Sequence, residues 1–217
     1  LDRDPGEEPP CRGGPERMLA LILAGGEGSR LRLGEKALVM VHDRPMIAWV
    51  IEAFIEAGCE PIVVTSCKTP FTRNWCRAND VAFIDTQGTG YVEDLCEAVE
   101  ISGEDGPLFT AAADIPCLTA DIIEHVLESY RSSDKPACST WVPLTLCERY
   151  GMQPRYREEI DGVAATPCAL NIFMGSLVAE VQDELCILLD EPGLAFNINT
   201  REELAVLERE FCSVRPC

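Results

Sequence analysis

The chain has 217 residues, 47% of them hydrophobic, which is enough for one substantial core and at most a small appendage. Its formal charge is −19 at pH 7. That balance excludes nucleic acid as a partner, because affinity there rests on neutralised phosphates, and it requires any site for an anionic ligand to be assembled locally from N–H groups, Arg, Lys or a metal ion.

Residues 1–17, LDRDPGEEPPCRGGPER, offer almost nothing to bury and are expected to be a disordered extension, with Met18 as a candidate natural start. Residues 18–212 read as a single domain and 213–217 as a tail. An apolar run at 18–24 reads as a buried strand and feeds directly into Gly25-Gly26-Glu27-Gly28-Ser29-Arg30, with Lys36 six residues later. Glycines there allow positive φ and close approach of a ligand to the main chain, so successive N–H groups can face a phosphate that Arg30 and Lys36 neutralise. The spacing matches neither G-x-x-x-x-G-K-[ST] nor G-x-G-x-x-G, since a leucine follows Arg30 where the third glycine would stand.

Downstream, short apolar runs alternate with helical patterns, which predicts an α/β fold with a mostly parallel central sheet flanked by helices. Pro45 opens a helix whose Ile47, Val50, Ile51, Phe54 and Ile55 share one face, and Gly58 closes it. Strands are expected at 61–66, 81–85 and 107–114, and helices at 71–77, 91–101 and from Thr119, which is placed to cap the last of these. The stretch 136–172 has no helical period and carries Pro143, Pro154 and Pro167, so it reads as a small β-rich insertion on the edge of the sheet. Thr200-Arg201-Glu202-Glu203 spells a capping box for a final helix ending near Phe211.

The twelve cysteines contain no C-x-x-C pair, and only His42 and His125 are available as imidazole ligands. They read as small buried hydrophobes in a reducing compartment. No apolar run reaches the roughly 18 residues of a membrane span, and no signal peptide is evident. The expectation is a cytoplasmic protein with no membrane partner.

Three further groups carry polar chemistry. Asp85-Thr86-Gln87-Gly88-Thr89-Gly90 forms a second glycine-rich strand-to-helix loop, where unsatisfied N–H groups at a helix start would welcome a polar ligand; an ordinary connection is the alternative. Asp114, at the end of the apolar run Ala111-Ala112-Ala113, either anchors Mg2+ or caps the following turn. Asn171, Asn197 and Asn199 stand near strand ends, where they serve either ribose and phosphate hydrogen bonds or turn backbone.

In order, LILAGGEGSR, EK, IDTQGTGYVEDL, AAADIP, ALNIF and FNINT resemble the GTP-dependent adenosylcobinamide-phosphate guanylyltransferases of archaeal cobalamin biosynthesis, within the MobA-like nucleotidyltransferase superfamily. The resemblance spans about residues 18–211 and implies a Rossmann-like nucleotidyltransferase fold. The glycine loop and A-D-x-P are general to the superfamily. The D-T-x-G-x-G-Y-x-E-D-L block and closing N-I-N-T point to the cobinamide branch, since Gly90-Tyr91-Val92-Glu93 departs from the G-P-L-x-G of the molybdenum branch. The spacer between Arg30 and Lys36 is shorter than is common in nucleotidyltransferases.

The resemblance implies transfer of GMP from GTP to a corrinoid phosphate, with release of pyrophosphate. It gives nucleotide binding to Leu23, Ala24, Gly25, Gly26, Gly28, Ser29, Asp85, Thr86, Gly88 and Gly90. Arg30, Lys36 and Asp114 would be catalytic and would also bind nucleotide, Asp114 would hold Mg2+, and Asp85 or its neighbours would meet the guanine edge. Asn171, Asn197 and Asn199 would touch substrate, and a homodimer is compatible. The rivals are a molybdenum-cofactor or sugar-phosphate nucleotidyltransferase and a nucleotide-sensing module without turnover.

Overall fold

The computed structural model describes residues 17–26, 28 and 31–215. Ser29 and Arg30 lie outside the described residues, as does the expected extension apart from Arg17.

The chain begins with β1 (Leu19–Leu23), the glycine loop and a 3-10 turn at Lys36–Leu38, followed by the hairpin β2 (Met40–Val41) and β3 (Arg44–Pro45). There follow α1 (Met46–Glu56), β4 (Glu60–Ser66), α2 (Pro70–Ala78), β5 (Phe83–Thr86), α3 (Tyr91–Ser102), β6 (Pro107–Ala112) and α4 (Ala120–Arg131). β1 pairs in parallel with β4 and β6, and β4 with β5. β1 is an unbroken apolar run because both faces of a parallel sheet are covered. Ala20 and Ile22 join a core with α1, α4 and Phe211, whereas Leu19 and Leu21 meet Ala98 and Val99 of α3 on the opposite face. Phe54 of α1 packs edge-on against Phe109 of β6 at 5.5 Å, filling the first of these cores.

The expected β-rich insertion is present. It supplies β7 (Ala137–Pro143), a short α5 (Leu144–Arg149), β8 (Glu158–Ile160) and β9 (Val163–Met174), followed by β10 (Glu184–Leu188), which no sequence pattern flagged. The sheet order is β10-β7-β9-β6-β1-β4-β5, with β8 paired to β9. This region therefore builds one edge of the main sheet, as expected, and is continuous with it. β9 runs antiparallel to both β6 and β7, and a register shift between Ser139 and Trp141 accommodates it. The prolines that suggested irregularity sit at the end of β7, in the connection before β8 and within β9.

Thr119 occupies the cap position of α4 but makes no side-chain capping bond. Thr200 does cap α6 (Arg201–Val214): its side chain accepts from the Glu203 N–H, and Glu203 returns the contact in a full capping box. Beyond Phe211, Val214 and Arg215 are buried, and Arg215 donates to the Pro116 carbonyl at 3.1 Å. Residues 213–215 thus belong to the packed body, not to a tail.

All ten described cysteines are free, and six are buried. Burial pushes the Cys59 and Cys76 thiols up to about 11, and those of Cys117, Cys138 and Cys168 up to about 12. They are inert core thiols, as the spacing suggested. Among the described residues, no helix is long and apolar enough to cross a membrane.

Candidate active site

The carboxyl ends of β1, β4, β5 and β6 converge on one cavity of about 410 Å3. That is where an open α/β sheet presents ligand groups, because strand ends leave loops free to diverge around a crevice. Leu23, Ala24, Gly25 and Gly26 line it from the first loop, and Thr86, Gly88 and Gly90 from the second. Lys36, Asp114, Tyr91, Asp94 and Lys68 bring the polar side chains.

Gly28 does not line the cavity; it shapes the loop. Its φ is +64°, and a Cβ there would sit 3.0 Å from the Lys36 backbone nitrogen and the Gly34 carbonyl. Its carbonyl accepts from the N–H groups of Leu31 and Arg32 at 3.0 and 3.2 Å, turning the chain back toward Lys36. Gly88 is similar, with φ of +73° and no room for a methyl against Ser66 and Cys67.

At the centre, Lys36 Nζ donates to Asp114 Oδ2 and, at 2.9 Å, to Asn199 Oδ1. Asn199 Nδ2 donates in turn to the Asn197 carbonyl and side chain at 3.0 and 2.9 Å. The Asp114 carbonyl accepts the Ile198 N–H at 3.1 Å, clamping the 197–199 segment against the end of β6. Residues far apart in sequence are thereby brought together. Asp114 Oδ1 is buried and has no hydrogen-bond partner among the described residues. A turn-capping aspartate would accept a nearby N–H, so that role is not the one the geometry gives it. Asn199 is likewise not the cap of α6; Thr200 is.

Two expectations are corrected. Asp85 alternates with Thr86 along β5, so when Thr86 faces the cavity Asp85 points away. It accepts from Arg73 at 2.6 Å and Thr65 at 3.0 Å, in an ion pair outside the residues that line the cavity. Asn171 sits within β9, in register with Thr110 and Ser139, and lines neither this cavity nor its neighbour.

The neighbour is a cavity of about 700 Å3 between α5, β9 and the start of α6, with Asn197, Asn199, Arg155 and Tyr156 in its wall. Asn199 is shared: it lines this second space while bonding to Lys36, which lines the first.

Sequence reading missed the residues that hold the loops. The Glu35 carboxylate is buried and caps α2, accepting from the Phe71 N–H at 2.8 Å and from the Thr72 N–H and hydroxyl at 2.6 Å. The cap residue proper, Thr69, makes no such bond. Arg201 donates to the Leu31 and Arg32 carbonyls at 2.9 and 3.0 Å. Both contacts cross large sequence separations, so no local pattern announces them. Glu35→Ala is expected to leave three donors unsatisfied, costing about 2–3 kcal/mol by denaturant unfolding and raising KM for nucleotide through a loosened loop. Unchanged stability would show that water replaces the carboxylate without loss.

The MobA-like NTP transferase domain model matches residues 20–168. The chain belongs to that family. It is therefore a nucleotidyltransferase, built on the mixed α/β sheet described above. An adenosylcobinamide-phosphate guanylyltransferase of Methanocaldococcus jannaschii is 29% identical, aligned over 88% of this chain and 96% of that protein. A probable molybdenum cofactor guanylyltransferase of Trichormus variabilis is 26% identical over 92% of this chain and 94% of its own. A hypothetical transferase from Thermus thermophilus superposes with a TM-score of 0.68 at 21% identity, covering 87% of this chain and 99% of that one, which speaks to the fold.

Proposed function

We propose that this nucleotidyltransferase is a guanylyltransferase that moves GMP from GTP to adenosylcobinamide phosphate and releases pyrophosphate. The carrying observation is the Asp114–Lys36–Asn199 chain at the seam of two unequal cavities. The smaller, glycine-walled space suits a nucleotide, and the larger suits a bulky acceptor that presents one phosphate across the seam. The near end-to-end similarity to the M. jannaschii protein and the D-T-x-G-x-G-Y-x-E-D-L block favour a corrinoid acceptor.

In this reading an oxygen of the acceptor phosphate bonds to the α-phosphorus of GTP. The bond from that phosphorus to the bridging oxygen breaks, and its electron pair leaves with pyrophosphate. The attacking monoester is already an anion, so no general base is required. Catalysis then reduces to positioning and charge neutralisation. Lys36 stands where the reacting phosphates would crowd, and Gly25 and Gly26 line the same cavity, where their small size lets a phosphate approach the main chain. Asp114 Oδ1, buried and without a partner, fits a ligand atom for Mg2+, which takes one or two carboxylates and completes its shell with phosphate and water. When bound it would supply charge neutralisation. Ten free thiols among the described residues suit the reducing cytosol that we propose as its compartment.

Pyrophosphate release, measured with GTP or ATP against adenosylcobinamide phosphate or molybdopterin, tests the proposal. GTP with the corrinoid phosphate should turn over, with ATP discriminated by about 10²-fold or more, because mismatched polar contacts in a buried site are costly. Turnover with molybdopterin alone would move the chain to the molybdenum branch, toward which the T. variabilis relative points. Tight GTP binding with no acceptor consumed would favour a sensing module.

A further inference from the structure

The nucleotide cavity holds two carboxylates at different places. Asp114 is paired with Lys36, whereas Asp94 makes no ion pair with a described residue, although Lys68 also lines the cavity. Asp94 lies in the first turn of α3 and is half-buried. Its Oδ1 accepts the N–H groups of Gly88 and Thr89 at 2.9 and 3.1 Å, fixing the second loop. Its Oδ2 points across the cavity toward the first loop, reaching within 4.0 Å of where a Cβ on Gly25 would stand, and takes no hydrogen bond from a described residue. The adjacent Glu93 is exposed and does not line the cavity.

The mechanism proposed above places the reacting phosphates at Lys36, and an unpaired carboxylate elsewhere in the cavity is a poor neighbour for phosphate oxygens. The base is then left beside Asp94, between the apolar walls of Leu23, Val64 and Ala112. A carboxylate there demands N–H donors from the ring. Guanine offers two in parallel, N1–H and the 2-amino group, whereas adenine presents at N1 an acceptor that the carboxylate repels.

We infer that Asp94, not Asp85, is the residue that selects guanine, with its carboxylate receiving the N1–H and 2-amino donors of GTP. The inference rests on the guanylyl reading above and assigns its specificity to one side chain. Asp94 also holds the loop through Oδ1, so a test must separate reading the base from positioning the loop.

Calorimetry on the full chain with Mg2+ and four nucleotides does so. The unmodified protein should bind GTP about 10-fold or more tightly than inosine triphosphate, which lacks the 2-amino donor. In Asp94→Asn, GTP affinity should fall by about 10- to 100-fold while xanthosine triphosphate, whose 2-oxo group matches the new amide, becomes the better ligand. Equal binding of GTP and inosine triphosphate by the unmodified protein would overturn the inference even if the variant failed to fold. So would an Asp94→Asn protein that loses GTP, xanthosine triphosphate and ATP alike, which would mean loop positioning only. An unmodified protein with no preference for GTP over ATP would sink the guanylyl reading itself, a separate outcome.

Discussion

Lys36→Ala is expected to lower kcat/KM by about 10²-fold or more and to destabilise the fold at the same time. Both effects come from the position of one ammonium group. It bonds to Asp114 and to Asn199, and the side chains of Lys36 and Asp114 are only 17% and 12% exposed. Removing it deletes a cation where the triphosphate would lie, and charge-assisted hydrogen bonds are worth about 1.5–3 kcal/mol each. It also leaves the Asp114 carboxylate with neither oxygen partnered. Breaking a fully buried pair costs about 3–5 kcal/mol; this pair keeps some water contact, so about 2–3 kcal/mol is expected. Steady-state kinetics and urea unfolding of the same preparation check the pair of effects. Near-full activity would make Lys36 a structural partner of Asp114 and nothing more.

The coupling also explains what sequence could and could not reveal. The glycine loop, Lys36 and Asp114 were legible because each is a local pattern: an apolar strand run ending in a conspicuous polar residue. That Lys36 and Asp114 touch was not legible, since it depends on β1 and β6 being neighbours in the sheet. Asp85 was misassigned because strand alternation is invisible until the register is known; one residue of phase decides between the cavity and an ion pair with Arg73. Asp94 hid within a helical pattern, where a first-turn carboxylate looks like ordinary dipole compensation. Glu35 and Arg201 went unseen for the reason that makes them useful: they tie the loop to helices distant in sequence.

The fold divided along the same line. Units from β1 to α4 alternate with a short period and follow the parallel-sheet pattern closely. The 136–172 stretch shows its β character and edge position but not its strand bounds, because its antiparallel strands are joined through a one-and-a-half-turn helix and prolines, which blur any period. Only the ladder partners of β9 show that it lies between β6 and β7.

Asp114→Asn should abolish turnover that depends on Mg2+ while leaving a folded protein. Removing a lone buried carboxylate would hold or raise stability. The ion pair reverses that sign. Asparagine keeps an oxygen for the Lys36 ammonium but not the charge, so a loss of about 1 kcal/mol is expected, smaller than for Lys36→Ala. The unpartnered Oδ1 becomes the diagnostic atom, because an amide nitrogen placed there repels a hard cation. Titration of the nucleotide-bound protein with Mn2+, read by its relaxation signal, should lose its tight phase in the variant, while nucleotide binding without metal changes little. Combining Asp114→Asn with Lys36→Met then separates the roles. If the two residues serve only each other, the double variant should cost no more in stability than the worse single change. If each also meets substrate, metal-free nucleotide binding, which Asp114→Asn alone changes little, should weaken in the double variant even as the stability losses fail to add. An Asp114→Asn protein that still turns over with Mg2+ would leave the carboxylate as a partner for Lys36 alone and would remove the metal from this mechanism.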